Sequence, residues 1–337
     1  MKNILLIAPT SSTMCSPIRR AFEHHGFEVS LVDYRGNFVL NPENILHRFV
    51  KNLPPRLFVY FKRRAKRLIT RQILKKAEKI KPDCVFVVKG PALYPDTLVS
   101  LRKICPLINY YPETMDQIDL IKKIAPYYDY FVNLDPYVVE MLKKEGYKNA
   151  LYIPFSADLN ENDRWIRPQK YLYNISFIGT YDRKFYSERE FILNEVKDFG
   201  LCLWGNEAWS DTSLRGYYRG RVKTEDIQNI YRNSKIVINA DISREVLGTG
   251  VNLRPFEATA AGTMLLNRDD RKDIFNLFED GKEFVSFSGA GDVRQKAEYY
   301  LNHEEERLKI AEAGFNRARN DHTYIKRIGE IIKITGI

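Results

Sequence analysis

The chain has 337 residues, 44% hydrophobic and 13% aromatic, which is enough apolar material for folded cores and argues against disorder. Its length suits two domains. The net charge of +10 is uneven: residues 1–150 hold 25 Lys/Arg against 14 Asp/Glu, the remainder 28 against 29, so the basic character is local.

Elements read in chain order alternate strand and helix. Asn3–Ala8 is a short apolar run, too short for the core of a signal peptide and better read as a first buried strand. Pro17 to His25 has helical spacing with Ile18, Ala21 and Phe22 on one face, and Gly26 stops it. Phe27–Val32 returns to strand, completing a βαβ unit that demands a parallel sheet. Residues 57–80 predict a long amphipathic helix with Phe61, Ala65, Leu68, Ile69, Ile73, Ala77 and Ile80 as its apolar stripe. Cys84–Val88 and Tyr130–Leu134 are further strands, with helical stretches at 95–104 and 136–145. Residues 156–170 are polar and aperiodic, the best linker candidate. A second alternating series follows: strands at 174–178, 201–204, 235–239 and 263–266, helices near 187–198 and 224–233, a helix opening at Glu257, and helices over 303–335. The expected fold class is α/β, with two Rossmann-like doubly wound domains facing a central cleft where ligands collect at the strand C-termini. The boundaries fall at 1–160 and 161–318, with a terminal helix at 319–337.

Several chemistries lack their signatures. There is no GxGxxG after the first strand and no GxxxxGK[ST], which weighs against dinucleotide dehydrogenases and P-loop enzymes. No HExxH or paired Cys/His spacing suggests a metal. The four cysteines are dispersed and form no CxxC pair, the pattern of buried thiols in a reducing compartment. No apolar run reaches about 18 residues. The reading is cytoplasmic.

Two stretches carry chemistry. In FIGTYDRKFYSERE, residues 177–190, a strand ends in Gly179-Thr180 and meets Arg183, Lys184 and Arg189 before a helix. Small residues admit backbone amides to a phosphate and the basic side chains add charge; an ordinary βα turn is the plainer alternative. In VNLRPFEATAAG, residues 251–262, Arg254 and Glu257 sit three apart in apolar surroundings. Arg254 suits a diphosphate by bidentate donation. Glu257 can accept two hydrogen bonds from vicinal hydroxyls, as on a ribose. The alternative is an Arg254–Glu257 ion pair capping the helix.

Residues 48–81 hold 13 basic residues and one acid, Glu78. A solvated helix face, an anionic membrane surface and a nucleic acid all fit. Pro54-Pro55 followed by Leu57-Phe58-Val59-Tyr60-Phe61 favours membrane over nucleic acid, because the aromatic residues cluster and do not interleave with the charges.

An ordered set of residues then carries a resemblance. It runs from Gly220-Arg221-Val222 through Tyr231-Arg232-Asn233-Ser234-Lys235-Ile236-Val237-Ile238-Asn239 to Asn252-x-Arg254-x-Phe256-Glu257-Ala258 and Gly262. Phe284…Phe287, Lys296-x-x-Tyr299-Tyr300-Leu301, Glu304-Glu305-Glu306-Arg307, Ala313-Gly314 and His322-Thr323-Tyr324 continue it. Ile175–Gly179 and Trp204-Gly205 also fit. The set resembles the C-terminal donor domain of CgeB-like, group 1-like GT-B-fold glycosyltransferases over about residues 172–330, half the chain.

The resemblance implies a hexosyltransferase-type enzyme that moves a sugar from a nucleotide-diphosphate sugar to a glycan or lipid-linked acceptor. The N-terminal domain would take the acceptor and the C-terminal domain the donor, without a metal or other cofactor, in surface polysaccharide biosynthesis. Glu257 would hold the donor ribose, and Asn252, Arg254, Gly205 and the loop with Gly179, Thr180, Arg183 and Lys184 would face the diphosphate. The terminal helix would cross back to the N-terminal domain. Many retaining relatives carry a second glutamate eight residues before the ribose glutamate; here that position is Thr249, with Glu245 nearest, so retention and inversion both stay open. An inverting enzyme needs a general base, and Glu113 and Asp116 in YPETMD are the candidates, with a helix-terminal acidic pair as their plainer reading. The expected partners are the nucleotide sugar, the acceptor and an anionic membrane surface through 48–81, but not nucleic acid. Two other functions compete: a non-catalytic nucleotide-sugar-binding module, and a DNA-modifying sugar transferase.

Overall fold

A computed structural model describes residues 2–36, 45–90, 93–241 and 247–337. The chain divides into two compact units, Met1–Ile153 with Ile325–Ile337, and Pro154–Tyr324.

The first unit is built on six parallel strands: β1 (Lys2–Ile7), β2 (Phe27–Val32), β3 (Cys84–Val88), β4 (Leu107–Tyr110), β5 (Tyr130–Asn133) and β6 (Ala150–Tyr152), in the order β2-β1-β3-β4-β5-β6. All five residues of β3 are buried, as a parallel strand covered by helices on both faces requires. The helix Cys15–His24 turns Ile18, Ala21 and Phe22 inward, on the spacing the sequence shows. The helix Pro55–Ile80 starts with a proline at its first position, where no backbone N–H is needed, and buries Ala65, Ile69, Ile73 and Ala77. Phe61 and Leu68, expected on the same stripe, are exposed instead. A row of four-residue steps drifts around a helix of 3.6 residues per turn, so Phe61 at its N-terminal end rotates away from the core, while Leu68 lies about 100° from its buried neighbour Ile69 and falls outside the row. The last helix, Tyr324–Thr335, lies largely within this unit, where the Ile325 carbonyl is 2.8 Å from His25 Nε2.

The second unit has five parallel strands: β7 (Tyr173–Ile178), β8 (Leu201–Trp204), β9 (Ser234–Asn239), β10 (Met264–Arg268) and β11 (Val285–Phe287), ordered β11-β10-β9-β7-β8. Ile175 pairs with Leu201 on one side and Ile236 on the other. The chain therefore runs from β7 outward to β8 and returns to the opposite side as β9. That reversal opens a crevice beyond the C-terminal ends of β7 and β9, where open α/β sheets bind ligands. Trp209, fully buried, plugs the core below it, with the rings of Phe177 and Tyr181 at 5.9 and 4.8 Å.

Residues 156–170, polar in composition, are anchored to this second unit. Ala157 bridges to Thr323, and the Trp165 indole donates to the Gly262 carbonyl at 3.2 Å. Among the described residues all four cysteines are free, with Cys15 and Cys84 buried. No described helix is long and apolar enough to cross a membrane.

Candidate functional site

The end of β7 sets the site. Ile178 and Gly179 close the strand, and the Gly179 amide bonds the Trp204 carbonyl at 3.0 Å. Gly179 and Gly205 are packed backbone to backbone: a β-carbon on Gly205 would stand 2.1 Å from the Gly179 carbonyl oxygen. One on Gly179 would stand 2.7 Å from Nη2 of Arg254. Only residues without side chains let these two loops and the guanidinium share the edge. The Trp209 indole donates to the Gly179 carbonyl at 2.8 Å, and the Asn206 side-chain amide exchanges two hydrogen bonds with the Tyr181 backbone.

Arg254 is buried and does not pair with Glu257. Its Nε donates to the Ile178 carbonyl at 2.9 Å, Nη2 donates to the same oxygen, and Nη1 donates to Asn239 Oδ1. Asn239, the last residue of β9, also accepts from Asn252 Nδ2 at 3.0 Å and donates to Asn267 Oδ1 at 2.6 Å. Asn252 Oδ1 in turn accepts the Arg254 backbone N–H at 3.1 Å. The four side chains fix the ends of β7, β9 and β10 relative to one another. The ion pair that the spacing allows is thus replaced by backbone and amide contacts.

A second guanidinium lies alongside. Arg189 is buried, donates from Nε to the Ala240 carbonyl at 2.7 Å and from Nη1 to the Thr180 carbonyl, and stacks on Tyr186 at 3.7 Å. Arg189 and Arg254 both lie over the Phe177 ring, at 5.5 and 4.7 Å. Burial pushes Arg189 down to about 9, the like charge of Arg254 adds to this and Asp241 opposes it. At neutral pH both groups are cationic, so the crevice carries concentrated positive charge suited to an anion.

Glu257 sits one turn into the helix Arg254–Ala260. Its side chain keeps a solvent opening, yet burial pushes its carboxyl up to about 7, against the pull of the Arg254 guanidinium. Among the described residues its carboxylate accepts no hydrogen bond, while its backbone carbonyl takes one from Gln228 at 3.1 Å. A buried carboxyl with open acceptor positions can take hydrogen bonds from a ligand's hydroxyl groups.

Gly179, Gly205, Asn252 and Arg254 are therefore brought to one strand edge, with Thr180 contributing its carbonyl to Arg189. Arg183 and Lys184 are exposed on the loop beyond, where Asp182 Oδ1 accepts the Lys184 backbone N–H at 2.8 Å and shapes the turn. Sequence reading alone does not mark Asn239 as a site residue, although a polar residue ending the apolar run Ile236–Ile238 is its visible signal.

In the first unit Glu113 follows β4. Its carboxylate accepts a hydrogen bond from Lys89 Nζ, and both side chains are about a third exposed, 32% each. Its backbone carbonyl is held by Asn133 Nδ2 at 3.0 Å. Lys89 follows β3 in the left-handed region, φ 61°, an uncommon conformation for a residue with a side chain. Glu113 is thus half of an ion pair and lies just ahead of the helical turn Met115–Gln117. The Asp116 side chain and Glu245 lie outside the described residues. Thr249 accepts the Asp273 backbone N–H at 3.2 Å. No group of three or more His, Cys, Asp or Glu among the described residues is placed to hold a metal ion.

Comparison with known proteins agrees with this geometry. Residues 183–333 match the family model described as Glycosyl transferase-like. Spore protein CgeB of Bacillus subtilis (strain 168) is 22% identical over 262 residues, spanning 72% of this chain and 79% of that protein. Anabaena HepE in complex with UDP-glucose superposes with a TM-score of 0.63 at 9% identity, covering 100% of both chains. Sucrose-phosphate synthase from Thermosynechococcus elongatus gives 0.66 at 11% identity, covering 100% of this chain and 99% of that one. Two parallel-sheet units on this pattern define the GT-B fold. The chain thus has the GT-B fold, and residues 183–333 are similar to the glycosyltransferase family model.

Proposed function

We propose that the protein transfers a sugar from a nucleoside-diphosphate sugar to a glycan or lipid-linked acceptor without a bound metal ion. The observation that carries the donor reading is Glu257: a carboxyl raised to about 7 that accepts no hydrogen bond among the described residues and lies in the field of the buried Arg254 guanidinium. The ribose hydroxyls of the donor would supply the missing hydrogen bonds. The diphosphate would lie against the Gly179–Thr180 and Gly205 edge, within the field of Arg189 and Arg254 and in reach of Arg183 and Lys184.

The chemistry follows from charge. Breaking the glycosidic bond to the diphosphate places negative charge on the leaving oxygen, and fixed cations in a partly dry crevice stabilise it without reorganising. That supply of positive charge is what supports metal independence. The acceptor hydroxyl must lose a proton, and Glu113, with Asp116, is the carboxylate offered for that step. Lys89, bonded to Glu113, positions it.

The test is product analysis. The protein is incubated with UDP-, GDP- and ADP-sugars and a broad set of glycan and lipid-linked acceptors, and nucleoside diphosphate release is followed. Turnover or slow donor hydrolysis with one nucleotide class supports the reading. Tight nucleotide binding with neither would overturn it in favour of a binding module.

A further inference from the structure

The helix Pro55–Ile80 carries two apolar stripes, and among the described residues only one is packed against the core. Ala65, Ile69, Ile73 and Ala77 face the core. Leu57, Tyr60, Phe61 and Leu68, at spacings of 3, 4 and 11 residues from the first, form an exposed stripe alongside the buried one. Their exposures are 47, 55, 39 and 46%, and Phe49, on the preceding helix Ile45–Lys51, is exposed by 69%. The rings of Tyr60 and Phe61 rest edge-on against each other at 5.6 Å, in solvent. Arg64 and Arg71 punctuate the same face, and Arg56, Arg63 and Arg67 line its flank. Beside that flank, a groove of about 460 Å³ opens towards the helix Pro95–Arg102; Arg63, Arg67, Thr70 and Ser100 line it, with Asp96 its one acid.

We propose that this face docks on an anionic lipid bilayer, with the aromatic and aliphatic side chains in the headgroup–acyl boundary and the arginines on lipid phosphates. Three occupants are distinguishable on charge and layout. A second copy of the chain would press one face of this stretch, with 13 basic residues and a single acid, against another like it, which like-charge repulsion opposes. A single-stranded nucleic acid wants aromatic rings spaced along a basic track, one per base, whereas here the rings are gathered with leucines into one stripe. A bilayer with acidic lipids matches both halves of the face, since its surface takes the cations and its interior the apolar stripe. The groove beside Arg63 and Arg67 is of a size and charge for a phosphate headgroup. The inference is independent of the donor site.

The experiment is vesicle flotation with the full chain at about 0.1 M salt, where surface charges still act over about 10 Å. One vesicle set mixes phosphatidylglycerol into phosphatidylcholine and the other is phosphatidylcholine alone. Binding to the anionic set only is expected. Replacing Arg64, Arg67 and Arg71 by Gln should weaken it about fivefold per cation removed. A second variant, Leu57→Ser/Phe61→Ser/Leu68→Ser, should lose the fraction that survives high salt. Because all six side chains are solvent-facing, both variants should melt as the parent does. Absence of binding to the anionic set would overturn the proposal. So would equal binding to both sets, or a dimer in solution that the serine variant dissolves.

Discussion

Replacing Glu257 with Gln should make the ligand-free protein more stable at alkaline pH and not at acidic pH. The carboxyl is raised from its ordinary 4.5 to about 7 by burial. Between those values the folded protein holds a proton that the unfolded chain has released. Stability therefore falls as pH rises through that window, and the whole penalty is present above pH 7. Each pH unit across the window is worth about 1.4 kcal/mol, so the ceiling is about 3.4 kcal/mol. The solvent opening over Glu257 reduces this to about 2 kcal/mol. For a unit of this size that is about 4–8 °C in melting temperature. The assay is thermal unfolding of parent and Glu257→Gln at pH 4 and pH 8, without nucleotide. A gain at pH 8 that vanishes at pH 4 is expected. A difference that is the same at both pH values would refute the electrostatic reasoning.

Other perturbations read other parts of the site. Gly205→Ala drives a β-carbon to 2.1 Å from a backbone oxygen that cannot retreat, and urea unfolding should show a loss of about 3 kcal/mol or more. Asn239→Leu leaves Arg254 and Asn252 without their shared acceptor and should cost about 1–3 kcal/mol per stranded group, together with nucleotide affinity. Affinity for UDP should rise with pH and level off above about 7, because ribose hydroxyls bond the ionised Glu257; below that it should fall by up to about tenfold per pH unit. Calorimetry on Glu257→Gln, whose profile reports only the nucleotide's own phosphate, isolates this effect, and parallel profiles would count against it.

The fold was largely legible because parallel strands buried on both faces write themselves as apolar runs. Cys84–Val88 and Ile236–Ile238 show this directly, and Gly26 and Gly205 mark where runs end. The three-residue strands Ala150–Tyr152 and Val285–Phe287 were not legible, being too short to show a period. The anchoring of residues 156–170 was hidden because it rests on the Trp165 indole and on backbone contacts such as Ala157 with Thr323, which a polar stretch does not announce. In the site, Arg254 and Glu257 stood out as charges in apolar surroundings, but their relation was misleading. Arg254's main partner, the Ile178 carbonyl, is 76 residues away and has no side-chain signature. The ion pair between Lys89 and Glu113 was equally invisible, since it depends on the adjacency of β3 and β4 and on a left-handed turn at Lys89.

The most direct test of the donor site is a two-by-two titration: parent and Glu257→Ala, each with UDP and with 2′,3′-dideoxy-UDP. Hydrogen bonds to a charged group are worth about 1.5–3 kcal/mol each, so removing both hydroxyls should weaken the parent by about a hundredfold or more. In Glu257→Ala the two nucleotides should then bind alike. An equal loss in both proteins would show that the ribose hydroxyls do not meet Glu257, and would contradict the proposed donor site.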